Sequence, residues 1–182
     1  MSRAPRHERV LVCGVTGIGK STLCRAVSEH LDLPYTELDR LHWGPNWTPR
    51  PQFEQDVAEI ASRDRWVSEL QYLGSGVGML LAQRGQLLLW LDYPRRIART
   101  RLIRRTVKRS LSRREVWPGT GNIEPPLWHA FTDEDHLLRW EARTHRMWRD
   151  TYIPMLRSEH PHLRIVRFGH PRETARFVAA LS

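Results

Sequence analysis

Apolar positions along this chain follow two rhythms that alternate from end to end. Short continuous runs read as strands: "RVLVCGV" (9–15), "YTELD" (35–39), "RWVSEL" (65–70), "QLLLWLDY" (86–93) and "LRIVRF" (163–168). The first is apolar and β-branched almost throughout, the pattern of a parallel strand buried on both faces. Helical spacing lies between them. Leu23, Ala26, Val27 and Leu31 recur at helical intervals in "STLCRAVSEHL", and similar patterns cover roughly 52–63, 76–84, 95–115, 133–158 and 171–181. Strands alternating with helices predict an α/β fold with a parallel sheet. Ligands of such sheets gather beyond the carboxyl ends of the strands. That expectation puts 14–21, 39–47, 70–78 and 92–95 on one rim.

Within that rim the stretch "GVTGIGKS" matches G-x-x-x-x-G-K-[ST] at every fixed position, from Gly14 to Ser21. Its glycines let successive N–H groups turn onto phosphate oxygens, and the helix that follows aims its N-terminus at the anion. Lys20 supplies a mobile charge for the β- and γ-phosphates, and the Ser21 hydroxyl suits Mg²⁺. Gly14, Thr16, Gly17, Ile18, Gly19, Lys20, Ser21 and Thr22 are therefore the expected ATP-binding residues.

Composition adds limits. The 182 residues suit a single domain spanning 1–182. Cys13 and Cys24 fall in the first strand and helix, as small buried hydrophobes of a reducing compartment would. No apolar run reaches membrane length, and the basic start has too short an apolar part for a signal peptide. The expected location is cytoplasmic. The net charge is +9, and all but Lys20 and Lys108 of the 29 Lys and Arg residues are arginine. Such a bias follows genome composition as readily as function, so charge alone does not call for nucleic acid. It does single out Lys20, where a compact ammonium fits and a planar guanidinium would not.

Three further patterns carry chemistry. Glu37 and Asp39 sit two apart at the end of the second predicted strand, where both carboxylates would share a face. One would serve Mg²⁺ while the other orients an acceptor hydroxyl; the alternative for Asp39 is a helix N-cap. Asp92 ends "LLLWLD" as a metal-directed carboxylate would. Arg101, Arg105, Arg109 and Arg113 recur every four residues, with Ile103, Val107 and Leu111 opposite. Four like charges in a row repel, and a polyanionic triphosphate would relieve them. The alternative is a solvated basic face. Trp43 and Trp47 flank the turn Gly44-Pro45-Asn46, where they either stack on a ring or plug the domain edge. "LGSGVG" (73–78) reads as a tight turn with close backbone approach, and Trp140, Met147 and Trp148 as core.

Taken together, "GVTGIGKST", "ELDRLHWGPNWTPRP", "RWVSE", "LLLWLDYPRR" and "RTVKRSLSRREVWPGTGNIE" resemble the adenylate-kinase-like P-loop proteins often labelled topology modulation proteins. These are relatives of the adenylate and shikimate kinases. The resemblance covers nearly the whole chain. It implies a three-layer α/β/α P-loop NTPase fold with a five-stranded parallel sheet in 2-3-1-4-5 order. It also implies an acceptor loop at about 40–51 and an arginine-bearing lid at about 101–125. The family's W-x-x-D-G-N-Y after the third strand is here Trp66-Val67-Ser68-Glu69-Leu70-Gln71-Tyr72. That altered segment is expected to border the acceptor through Glu69 and Tyr72.

The sequence thus reads as an ATP- and Mg²⁺-dependent kinase acting on a small hydroxylated or nucleotide acceptor. Lys20, Asp39, Arg105 and Arg109 are its expected catalytic residues, and Arg101 and Arg113 join the loop around ATP. Asp39, Trp43, Glu69 and Tyr72 face the acceptor, while Ser21, Glu37 and Asp92 serve the metal. The alternative is a binding module whose basic lid grips nucleic acid and which ATP merely switches.

Overall fold

The computed structural model describes residues 7–124, 141 and 144–181. Five parallel strands form one sheet in the order β2-β3-β1-β4-β5. They are β1 (Arg9–Gly14), β2 (Tyr35–Thr36), β3 (Trp66–Glu69), β4 (Leu87–Leu91) and β5 (Arg164–Phe168). Around them lie α1 (Lys20–Leu31), α2 (Leu38–His42), α3 (Phe53–Ser62), α4 (Val77–Arg84) and α5 (Arg95–Ser112). A π-helical turn (Trp148–Tyr152) runs into α6 (Ile153–Glu159), and α7 (Pro171–Ala179) follows β5.

The strand alternation divides the core into two layers. Val10 and Val12 of β1, with Leu87, Leu89 and Leu91 of β4, meet Leu23 and Val27 of α1 on one face. Leu11 and Cys13, with Leu88 and Trp90, meet Val57, Ile60, Leu81 and Leu156 from α3, α4 and α6 on the other. Both faces of β1 and β4 are covered, which is why their sequences are apolar without alternation. The architecture is three-layer α/β/α.

One expected element differs. The second strand pairs only at Tyr35 and Thr36, opposite Val67 and Ser68. Leu38 is fully buried, and drawing it into the core turns the chain out of the sheet and into α2. Glu37 becomes the residue before that helix, and Asp39 lies in its first turn. The two carboxylates are therefore not neighbours on a strand face, and Asp39 is not an N-cap. α2 gives the expected acceptor loop a helical start that its turn-rich sequence hid, and a tight turn at Pro45–Trp47 follows it. The "LGSGVG" reading holds in space: a Cβ at Gly78 would collide with the Gln71 carbonyl. Of the helix expected over 133–158, residues 133–140 lie outside the described residues, as does Trp140. Trp148 packs on the core under α6.

Candidate active site

The phosphate loop joins β1 to α1. Gly19 takes φ 115° before α1, and among the described residues no side chain caps that helix, so its first N–H groups have no capping partner. Such an uncapped N-terminus of a 12-residue helix suits an anion. Lys20 is 8% exposed, and its ammonium donates to the carbonyls of Gly14 at 3.1 Å and Val15 at 3.3 Å. Gly17 has φ 78°, and a Cβ there would lie 2.6 Å from Cβ of Leu102. The loop therefore packs directly on α5. Arg101 adds a second tie, donating to the Ile18 carbonyl at 2.8 Å while its guanidinium lies over the Tyr93 ring.

A cavity of about 1310 Å³ opens beside this loop. It is lined by the whole loop from Gly14 to Thr22 and by Glu37, Asp39, Trp43, Trp47, Glu69 and Tyr72. Arg101, Arg105 and Arg109 line it from α5, and Trp117 and Glu124 from the segment beyond.

Besides Glu124, three acids face the cavity in three different settings. Glu69, at the end of β3, is 2% exposed and accepts from the Tyr35 hydroxyl at 3.2 Å. Burial raises its pKa, while Lys20 and the Ser21 hydroxyl pull it down. Glu37 pairs with Arg25 at 3.5 Å. Asp39 accepts a 2.7 Å hydrogen bond from the Tyr72 hydroxyl. Tyr72 itself takes φ 57°, a left-handed conformation that a bulky side chain adopts only when its surroundings hold it there. The His42 and Phe53 rings pack on it at 4.7 and 4.8 Å.

α5 turns its charge inward. Ala98, Leu102 and Thr106 are its buried residues, with Arg101, Arg105 and Arg109 beside them on the cavity. Ile103 and Leu111 are 40% and 77% exposed. Three of the four arginines of the expected stripe thus line the cavity, and two of the three apolar residues set opposite them are exposed. Nε of Arg105 is buried with no hydrogen-bond partner among the described residues. Burial and the neighbouring Arg109 charge push the Arg105 pKa down, while Glu124, Asp39 and Glu69 draw it up. Arg109 pairs with Glu124 at 3.3 Å.

Two expected residues are placed elsewhere. Asp92 lines a separate cavity of about 440 Å³ on the other side of β4's end. Its carboxylate is taken by Arg149 at 2.9 Å and Arg167 at 2.7 Å. Two guanidiniums engage it, and it does not line the large cavity with Ser21. Arg113 ends α5 in a left-handed conformation with φ 47° and does not line the large cavity, because the helix stops one residue short of it.

Other residues take places that the sequence did not assign them. Glu69 was expected at the acceptor, yet the register that sets it level with Val12 of β1 brings it beside Lys20 and Ser21. Trp117, Asn122 and Glu124 join the acceptor side through contacts that no local pattern announces. Ser21 and Glu69, close to each other beside Lys20, offer the oxygen donors that Mg²⁺ takes, and Glu37 lines the same cavity.

No protein-family model and no curated protein matches the chain. Solved structures do. A gluconokinase from Sinorhizobium meliloti 1021 is similar over 97% of this chain and 95% of that one, with a TM-score of 0.52 and 20% identity. A shikimate kinase from Bacteroides thetaiotaomicron is similar over 97% of both chains, with a TM-score of 0.54 and 16% identity. These likenesses, with the strand order, show that the chain has the fold of the P-loop kinases.

Proposed function

We propose that this protein transfers the γ-phosphoryl group of ATP to a hydroxyl of a small acceptor. One observation carries the reading: the uncapped α1 N-terminus with Lys20 and the Asp39–Tyr72 pair open onto the same cavity, with Arg105 also on it. The sequence resemblance to adenylate-kinase-like proteins supports it. Phosphoryl transfer asks a protein mainly for positioning and for charge placed where charge develops.

Each residue then has a task. The loop amides and Lys20 hold the β- and γ-phosphates, and Arg101 anchors α5 to the loop. Ser21 and Glu69, with Glu37 beyond, would hold Mg²⁺, which when bound neutralises charge between the β- and γ-oxygens. Asp39, its carboxylate oriented by Tyr72, accepts the proton of the attacking hydroxyl. Arg105 and Arg109 stabilise the transferring group. Trp43 and Trp47 wall the acceptor end. ATP consumption and two free, buried thiols at Cys13 and Cys24 suit the cytoplasm, and no described helix is long and apolar enough to cross a membrane.

The test is ADP release from ATP and Mg²⁺ across sugars, sugar acids, nucleosides and nucleotides. At least one acceptor should stimulate release. Asp39→Asn should lower that stimulated rate by about 10²–10⁴-fold while ATP affinity stays near wild type. Tight ATP binding with no stimulation by any acceptor, and nucleic-acid binding that falls steeply with salt, would replace the kinase with a nucleotide-switched binding module.

A further inference from the structure

The sequence pattern W-x-G…N-x-E, here Trp117, Gly119, Asn122 and Glu124, has no part in the chemistry just described. In space it is an irregular segment near the cavity closed by its own hydrogen bonds. The Glu115 carboxylate accepts from the N–H groups of Gly119 at 2.6 Å and Gly121 at 3.2 Å. The Val116 N–H donates to the Asn122 carbonyl at 2.7 Å, and Glu115 bridges Ile123 in antiparallel fashion. These bonds close 115–123 into a compact turn.

That turn is docked on the acceptor loop. Asn122 is fully buried, and both ends of its amide are used there. Its Nδ2 donates to the Gly44 carbonyl at 2.9 Å, and its Oδ1 accepts from the Trp47 N–H at 2.8 Å. The Trp47 indole N–H donates to the Ile123 carbonyl at 3.2 Å, and the Trp47 and Trp117 rings meet edge to face at 5.7 Å. Asn46 and Trp47 take φ 54° and 57°, consecutive left-handed residues without a glycine. Such a pair needs outside support, and Asn122 gives it by satisfying the Trp47 N–H.

The same turn reaches the nucleotide side. Glu124, 5% exposed, pairs with Arg109 of α5, and α5 is tied to the phosphate loop through Arg101 and the Gly17–Leu102 contact. A continuous chain of contacts therefore runs from Ile18 through α5, Glu124 and Asn122 to Trp47 and the loop that begins at α2 with Asp39.

We propose that Asn122 is a positioning residue, the centre of a latch that makes the arginine helix, the 113–124 lid and the acceptor loop move as one body. The two ends of the cavity are then coupled: nucleotide at the phosphate loop orders the acceptor wall, and acceptor binding strengthens nucleotide binding by the same factor. This rests on the reading of the cavity as a nucleotide-and-acceptor site. Two flaps closing independently would give no such coupling.

Hydrogen exchange with MgADP as the probe separates the cases. In the wild type, MgADP should slow amide exchange in 14–22 and also in 43–50, the latter at least about fivefold. In Asn122→Ala, protection of 14–22 should persist while the MgADP-induced slowing of 43–50 disappears. A merely structural asparagine would instead speed exchange of 43–50 equally with and without MgADP, leaving the nucleotide ratio unchanged, and that result would overturn the proposal. Asn122→Asp, which keeps the acceptor for Trp47 but loses the donor to Gly44, should retain part of the ratio; it also serves if the alanine variant does not fold. Protection of 14–22 alone in the wild type would overturn the latch and leave the nucleotide reading standing. No protection at 14–22 would overturn both.

Discussion

The two ends of the cavity are built by opposite means. At the proposed nucleotide end the recognising groups would be main-chain amides and one lysine, all within Gly14–Thr22, and the left-handed positions at 14, 17 and 19 are glycines. At the acceptor end they are side chains delivered by α2, the end of β3, α5 and the lid. There the left-handed positions include three residues with side chains, Asn46, Trp47 and Tyr72, beside Gly119 and Gly121. A phosphate is the same in every nucleotide, so a local backbone cradle suffices for it. An acceptor differs from one kinase to the next, and its pocket is assembled from side chains that tertiary contacts must hold in place.

The largest perturbation of this contrast is Lys20→Ala. It removes the one charged side chain of the nucleotide cradle, so phosphoryl transfer should fall at least about 10²-fold. Calorimetry should show MgATP affinity lost while Trp47 keeps its environment. Retained MgATP affinity would move the nucleotide site away from the loop.

A smaller effect sharpens the acceptor side. Tyr72→Phe deletes the hydroxyl that donates to Asp39 but keeps the ring between His42 and Phe53. A hydrogen bond to a charged group is worth about 1.5–3 kcal/mol, so kcat should fall about 10- to 100-fold with KM for ATP unchanged. An equal loss in both parameters would mean that Tyr72 supports the whole fold instead of orienting one carboxylate.

The smallest effect sits where the ends meet, at Glu69. Its folded pKa is raised, chiefly by burial. Below the unfolded value of about 4.3 the group is protonated in both states and costs nothing. As pH rises through that value toward the folded one, ionising it in the buried site costs stability. Glu69→Gln should therefore melt close to wild type at pH 4 and higher than wild type at pH 8. The gain would be about 2–4 °C for each kcal/mol recovered. The same variant should need more Mg²⁺ for ATP binding. A difference in melting temperature that shrinks with rising pH would show that Lys20 and Ser21, not burial, govern this carboxylate.

Legibility in the sequence follows the same division. The strands and the phosphate loop could be read because apolar runs and a contiguous motif encode them locally, while the strand order followed only from the resemblance to the adenylate-kinase-like proteins. The inward arginines at 101, 105 and 109 were readable because a period of four is helical. The pairing of Asp92 was not legible, because an apolar strand ending in Asp looks the same whether or not Arg149 and Arg167 reach its carboxylate from 57 and 75 residues away. Glu37 and Asp39 were misplaced because the burial of Leu38, which turns the chain out of the sheet, leaves no local mark. Glu69 was underrated because its nearness to Lys20 and Ser21 comes from strand register, and Asn122 because its partners lie 75 and 78 residues earlier.

The edge-to-face row of indoles has a consequence in optics. Trp43, Trp47 and Trp117 stand 5.8 and 5.7 Å apart at fixed, steep angles. Aromatic transitions held that close and that chirally mix, and they rotate polarised light far more strongly than isolated rings do. The row crosses from acceptor loop to lid, so undocking the two would uncouple the chromophores. The near-ultraviolet circular dichroism of the unlabelled protein is in that sense a built-in gauge of how its two halves are joined.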